Sequence, residues 1–241
     1  MWNKAAAYFS REPNSPKPAF MKLGREGAER RAGALPIGQL DALARVTRDL
    51  LGSRPGARLG KATELDDFLT VPNAIAAEYL GSAARPVRAM LFDKDPARNW
   101  SPGWHQDRTI AVRARGEAAG YSAWPLKHGI HHVVPPIALL QRMLTLRIHL
   151  DPVGEDSAPL LIAPGSHKIG LIPEGAIART VAACGTTACL ATAGDIWVYA
   201  SLVLHASERN LTTRRRRVLQ LFYSADELPP PLGWLGISGG N

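Results

Sequence analysis

Residues 195–223 read Asp-Ile-Trp-Val-Tyr-Ala-Ser-Leu-Val-Leu-His-Ala-Ser-Glu-Arg-Asn-Leu-Thr-Thr-Arg-Arg-Arg-Arg-Val-Leu-Gln-Leu-Phe-Tyr. The apolar run from Asp195 to Leu204 is strand-like, and alternation carried onward puts Ser201, Val203, His205 and Ser207 on one face, with Leu202 and Leu204 on the other. Asn210, Thr212 and Thr213 supply turn chemistry. A second strand then begins at the arginine run, with Arg214 and Arg216 on one face and Arg215 and Arg217 on the other. An antiparallel return brings an arginine of that run back beside His205, so one arginine face points inward and one outward.

The same texture recurs upstream. Short apolar stretches bounded by Gly, Pro, Asp and Asn lie at Val87–Phe92, Met143–Leu150 and Leu160–Ile162, and several alternate with period two. That spacing predicts an antiparallel sandwich or barrel. Ahead of them, Ile37, Leu40, Leu43, Val46 and Leu50 repeat every three or four residues, the mark of an amphipathic helix stopped by Gly52 and Pro55. Residues 64–80 give a second helical stretch. Residues 1–35 are basic and irregular, with Pro13, Pro16 and Pro18 close together, and read as an arm. The expected organisation is therefore that arm, then one domain over 36–241, interrupted at about 108–142 by an insertion rich in His, Gly and Pro. Insertions of that length usually serve as lids or binding loops.

A chain of 241 residues, 46% hydrophobic, buries roughly three quarters of its unfolded surface and needs no disulfide or structural metal to fold. The apolar fraction and the lack of a glycine period exclude disordered and collagen-like classes. The longest apolar run is far below the ~20 residues of a membrane helix, and the N-terminus lacks the apolar core of a secretory signal. Cys184 and Cys189 fit no zinc pattern and read as buried thiols of a cytoplasmic protein. Lys and Arg total 29 against 21 Asp and Glu, a net charge of +8. Arginines spread along the chain carry most of the excess, which singles out no one partner.

Two groups of residues carry chemistry. In Trp104-His105-Gln106-Asp107, residues two apart project together, so His105 and Asp107 offer two of the three ligands of a non-haem iron(II) site. His205 is the candidate third. Together with the Pro164-Gly-Ser-His167 turn, Gly194-Asp195, and His205-x-Ser207-x-x-Asn210 followed by Arg216, these residues resemble the phytanoyl-CoA dioxygenase family. The resemblance runs from roughly Arg25 to Tyr223. It implies a mainly β fold with flanking helices, the double-stranded β-helix also called jelly-roll or cupin-like, and an iron(II)- and 2-oxoglutarate-dependent oxygenase.

Carried over residue by residue, the resemblance implies that His105, Asp107 and His205 hold iron(II) and act as the catalytic centre. Arg216, eleven residues after the distal histidine, would clamp the far carboxylate of 2-oxoglutarate, and Ser207 matches a position that also touches it. Arg147 stands where some members have a tryptophan. An inward arginine is costly unless paired with an anion, so Arg147 either meets a carboxylate of cosubstrate or substrate, or pairs with Asp151. The implied reaction consumes O2 and 2-oxoglutarate, releases succinate and CO2, and hydroxylates a small metabolite. Asp107 argues against halogenation, because halogenases of this type lack the carboxylate ligand. Trp124, His131 and His132 in the insertion are expected to face substrate. Two rivals remain: the same chemistry on nucleic acid, favoured by the charge but not by an arginine run that starts a strand, and a cupin-like metal-binding protein without turnover.

Overall fold

The computed structural model describes residues 21–97 and 99–237. Helix α1 (Leu23–Glu26) leads into strand β1 (Ala28–Arg31), helix α2 (Ile37–Leu51), strand β2 (Gly56–Leu59), a 3-10 turn, helix α3 (Thr70–Leu80) and the long strand β3 (Arg85–Lys94). The insertion forms β4 (Ile110–Val112), β5 (Leu126–Lys127), β6 (Ile130–Val133) and helix α4 (Ile137–Gln141). Then come β7 (Leu144–His149), β8 (Leu160–Ile162), helix α5 (Ile177–Cys184), β9 (Thr187–Cys189), β10 (Ile196–Ala200), β11 (His205–Ser207) and β12 (Arg216–Ser224).

The strands make a six-stranded sheet in the order β1-β10-β7-β12-β3-β2 and three-stranded sheets β11-β8-β9 and β4-β6-β5. This is a mainly β jelly roll with flanking helices. Period-two alternation gives the large sheet two unlike faces. Leu91 on β3, Leu146 and Ile148 on β7, Val198 on β10 and Leu221 on β12 point outward and pack against Leu40 and Leu43 of α2 and Ile75 of α3. The opposite face looks into the molecule, where Trp197 and Tyr199 meet Leu160, Ile162 and Cys189 of the small sheet. The insertion's sheet and α4 close one end by packing Ile110, Val133 and Leu140 against Val87 and Phe222.

Residues 1–20 of the expected arm lie outside the described residues. From residue 21 onward the chain is built into the domain, with β1 pairing antiparallel with β10 as an edge strand. Gly194-Asp195 makes that attachment. Gly194 has φ +90, and a Cβ there would stand 2.7 Å from the Leu35 carbonyl oxygen, so only glycine fits. The fully buried Asp195 carboxylate accepts from Arg30 Nε at 2.9 Å, from the Gly33 amide at 2.8 Å and from the Thr192 amide at 2.6 Å.

Residues 195–207 depart from the single strand expected of them. Strand β10 stops at Ala200, residues 201–204 turn, and the chain re-enters order as β11 in the other sheet. The crossing is pinned from the Pro164-Gly-Ser-His turn, where Ser166 Oγ accepts from the Leu204 amide at 2.8 Å. Strand β12 likewise returns not beside β11 but between β7 and β3. The arginine run therefore faces His205 across the sandwich rather than along a shared ladder.

Candidate metal centre and cosubstrate pocket

His105 and His205 meet through an isolated antiparallel bridge, each backbone amide donating to the other's carbonyl at 3.0 Å. Their rings lie 4.3 Å apart between centroids. Asp107 follows on the same stretch, and one ligand atom from each of the three residues falls within 4.8 Å of the others. Among the described residues no other such group of His, Cys, Asp and Glu occurs. Gln106, projecting the other way, donates to the carbonyls of Leu202 at 2.7 Å and Gly170 at 2.8 Å and accepts from the Ile172 amide at 2.9 Å. It thereby locks the ligand-bearing segment onto the turn that precedes His205.

The donor atoms suit a metal. His105 Nδ1 lies 2.7 Å from the Gly103 carbonyl and His205 Nδ1 lies 3.0 Å from that of Val203. Each contact requires the proton on Nδ1 and leaves the Nε2 lone pair free, the tautomer a metal-bound imidazole takes. Burial pushes His205 down to about 4, against the pull of Asp107, so its ring is neutral near pH 7. Asp107 Oδ2 is buried without a hydrogen-bond partner and lies 3.9 Å from His205 Nε2. A buried carboxylate oxygen with no donor, beside two free imidazole nitrogens, fits a divalent cation of the iron(II) type.

These ligands border a cavity of about 380 Å³ between the sheets, within the usual range for a small-molecule site. Arg216 lines it and is only 1% exposed. Its neighbours in the run do not: Arg215 pairs with Asp93 and Arg217 with Asp151, while Arg214 is exposed. The Asp151 alternative for Arg147 is thereby set aside, since Asp151 accepts from the Arg217 amide and both ends of its guanidinium. Arg147 instead enters the cavity, donating to Gln220 Oε1 at 2.7 Å with its Nε unpartnered. Arg216 donates to the Ala158 carbonyl at 2.7 Å, and its Nε is also unpartnered. Burial, reinforced for Arg216 by Arg147, lowers the pKa of both guanidinium groups.

Ser207 sits where the sequence put it, donating to the Ala158 carbonyl that also receives Arg216. Its Oγ lies 3.1 Å from Lys94 Nζ, a contact the sequence reading missed. Lys94 is 1% exposed, and burial beside Arg216, Arg147 and Arg209 lowers it to about 6. The signal for it was there: Arg88, Met90, Phe92 and Lys94 alternate along one face of β3 and all line the cavity. Two buried guanidinium groups with spare donors, Arg216 and Arg147, with Lys94 and Ser207 as neutral donors beside them, form a receptor for a carboxylate and so fit 2-oxoglutarate.

The insertion residues are placed differently from expectation. Trp124 packs into the apolar cluster around Val133, and His131 and His132 sit on β6; none of the three lines the cavity. Arg108, Thr109 and Lys127 do so instead.

A scan against family models matches residues 45–218, well over half of the chain, to "Phytanoyl-CoA dioxygenase (PhyH)". The chain belongs to the phytanoyl-CoA dioxygenase family. No curated protein sequence matches it. Among solved structures it is similar to the epimerase SnoN in complex with Fe3+, alpha ketoglutarate and nogalamycin RO, at 18% identity and TM-score 0.60, covering 87% of this chain and 88% of that one. It is also similar to AviO1 from Streptomyces viridochromogenes, at 20% identity and TM-score 0.62, covering 86% and 94%. HygX from Streptomyces hygroscopicus, with nickel, 2-oxoglutarate and hygromycin B bound, aligns at 15% identity and TM-score 0.56, covering 84% of each chain. Identities this low speak for the fold, and the family match carries the chemistry. This phytanoyl-CoA dioxygenase family member is an iron- and 2-oxoglutarate-dependent oxidoreductase, and its His-Asp-His group and buried cations suit both cofactors.

Proposed function

We propose that this enzyme hydroxylates a small-molecule metabolite, with 2-oxoglutarate as cosubstrate and succinate and CO2 as its products. One observation carries the reading: the free donor atoms of His105, Asp107 and His205 border the same cavity as Arg216 and Arg147. A protein that only stored metal would have no use for two buried guanidinium groups beside it.

Iron(II) bound by His105, Asp107 and His205 supplies the oxygen-activating redox chemistry. The chain's own part is positioning. The backbone carbonyls of Gly103 and Val203 hold both imidazoles in the tautomer that aims Nε2 at the metal. Arg216 receives the 5-carboxylate of 2-oxoglutarate, with Arg147 beside it, and Ser207 and Lys94 fix the wall behind. Phe92 and Trp100 line this end, where the Arg147 guanidinium carbon lies 5.5 Å from the Phe92 ring centroid and Lys94 Nζ lies 5.0 Å from that of Trp100.

A small-molecule substrate is supported by the cavity's size and by the pairing of Arg215 and Arg217 with carboxylates, which withdraws both from contact with a phosphate backbone. SnoN and HygX are described with nogalamycin RO and hygromycin B bound, and small organic substrates are the class we adopt. Residues 108–142 serve as a lid whose Arg108, Thr109 and Lys127 reach the cavity. A cytoplasmic setting belongs to the same reading, supported by two free thiols, with burial pushing that of Cys189 up to about 12. No described helix is long and apolar enough to cross a membrane.

The test is anaerobic titration of iron(II) and 2-oxoglutarate into metal-free protein, following the visible metal-to-ligand charge-transfer band. The band should form with wild type and vanish with Asp107→Ala. Iron binding without a band would remove Arg216 from its role as clamp and return the protein to the metal-binding class.

A further inference from the structure

Arg88 is 7% exposed, projects into the cavity from β3, and has no carboxylate partner. Its Nη2 donates only to the Met90 sulfur, a weak acceptor, at 2.9 Å, and its guanidinium carbon lies 4.7 Å from the Phe222 ring centroid. The Nε atoms of Arg88 and of Arg58, on β2, are both buried without partners. Lys127 of the insertion reaches the same region, where its Nζ donates to Thr109 Oγ1 at 3.2 Å. Three cations from three separate elements thus converge on one part of the wall, and the described ion pairs include none to any of them.

Away from the cavity several arginines are paired with carboxylates. Arg30 has Asp195, Arg215 has Asp93, Arg217 has Asp151 and Arg142 has Asp226. The carboxylate near Arg88 and Lys127 is Asp107, already committed to the metal. His132 beside them is held down to about 4 by burial and by Arg88, Lys127 and Arg58, so it is neutral near pH 7 and adds no charge to the group. A desolvated cation without a counter-ion is costly unless a ligand supplies one.

Nor does this group belong to the cosubstrate end. Arg88 and Lys94 are six residues apart on one strand, which places their backbones about 20 Å apart at 3.3 Å per residue. Lys94 feels the like charges of Arg216, Arg147 and Arg209, whereas Lys127 feels those of Arg88 and Arg58. Five carbons of 2-oxoglutarate cannot satisfy both ends.

We infer that the substrate carries an anionic head group, a carboxylate or a phosphate, received by Arg58, Arg88 and Lys127 at the end of the cavity opposite Arg216. The inference rests on the oxygenase reading above and names the substrate class of that cavity. The reacting carbon of such a substrate lies away from the charged head, which the cation group anchors while the remainder extends toward the metal ligands.

Benzoate and phenylphosphonate serve as anionic probes and benzamide as the neutral isostere, each measured by equilibrium dialysis on the iron(II)- and 2-oxoglutarate-loaded protein under argon at fixed ionic strength. At least one acid should bind about tenfold or more tighter than the amide. Arg88→Met and Lys127→Met should each erase that preference while leaving 2-oxoglutarate affinity, read from the charge-transfer band, within about twofold of wild type. The tighter acid names the head group. Equal binding of acid and amide, or a preference that survives Arg88→Met, overturns the inference. So does displacement of the band by the acids, which would put them at the Arg216 end. If wild type forms no band, the oxygenase reading fails instead, and the acid-against-amide comparison on the same samples still decides this one.

Discussion

The two faces of the large sheet use the same strands for opposite purposes. On the outer face, Leu91, Leu146, Ile148, Val198 and Leu221 are at most 1% exposed and meet only hydrocarbon from the helices. On the inner face of three of those strands stand Arg88, Lys94, Arg147 and Arg216, almost as deeply buried and largely without counter-ions. Burial therefore means different things one residue apart. Outward side chains release surface from water and hold the domain together. Inward ones cost stability and are justified by what they bind, so stability and binding should separate cleanly by residue parity.

The largest break is expected at the metal. His205→Ala or Asp107→Ala should reduce 2-oxoglutarate turnover to background while leaving the thermal midpoint of the metal-free protein unchanged or raised. Full turnover in either variant would contradict the ligand assignment. On the outer face, Leu146→Ala should cost about 2–5 kcal/mol in urea unfolding and leave the Michaelis constant for 2-oxoglutarate as it was; the reverse pattern would mean that the faces are misassigned.

Arg216→Met sharpens the contrast within one run of arginines. Loss of a charge-assisted contact worth about 1.5–3 kcal/mol predicts a rise of about 10- to 100-fold in that constant. Removal of an unpaired buried cation should leave stability unchanged or higher. Arg215→Ala, at the outward pair with Asp93, should do neither, and equal kinetic effects from the two would show that the wrong arginine was chosen.

The smallest effect is one of pH. Burial beside Arg216, Arg147 and Arg209 lowers Lys94 from the ordinary 10.5 to about 6. Between those values the unfolded chain holds the proton and the folded chain has lost it, so this residue makes stability rise with pH, by up to about 1.4 kcal/mol per unit. Lys94→Met should flatten the dependence between about pH 7 and 9. A slope identical to wild type would mean that Lys94 keeps its proton in the fold.

Much of this is legible in the amino-acid sequence. The α2 pattern from Ile37 to Leu50 gave a helix that begins at Ile37, and the stretches at Val87–Phe92, Met143–Leu150 and Leu160–Ile162 became β3, β7 and β8. The His105-x-Asp107 pair, His205 and Arg216 converge because a double-stranded β-helix fixes their spacing. Other features were hidden for physical reasons. Continuous alternation through Leu204 and His205 concealed the switch of sheets, since Leu202, Val203 and Leu204 look alike in a strand and in a buried turn. The insertion's histidines and Trp124 were chosen for their chemistry, yet His131 and His132 are built into β6 beside β4 and Trp124 into the apolar cluster around Val133, and none of them lines the cavity.

By itself the sequence determined the strands at Val87–Phe92, Met143–Leu150 and Leu160–Ile162 and the common side of His105 and Asp107, because these depend on local separation along the chain, whereas His205 and Arg216 were assigned through the family resemblance. Only the tertiary structure decided which parity looks inward, since alternation defines two faces without saying which one the helices will cover. It alone also gathered Arg58, Arg88 and Lys127. Residues that far apart along the chain become neighbours only when three strands from two sheets close around one cavity.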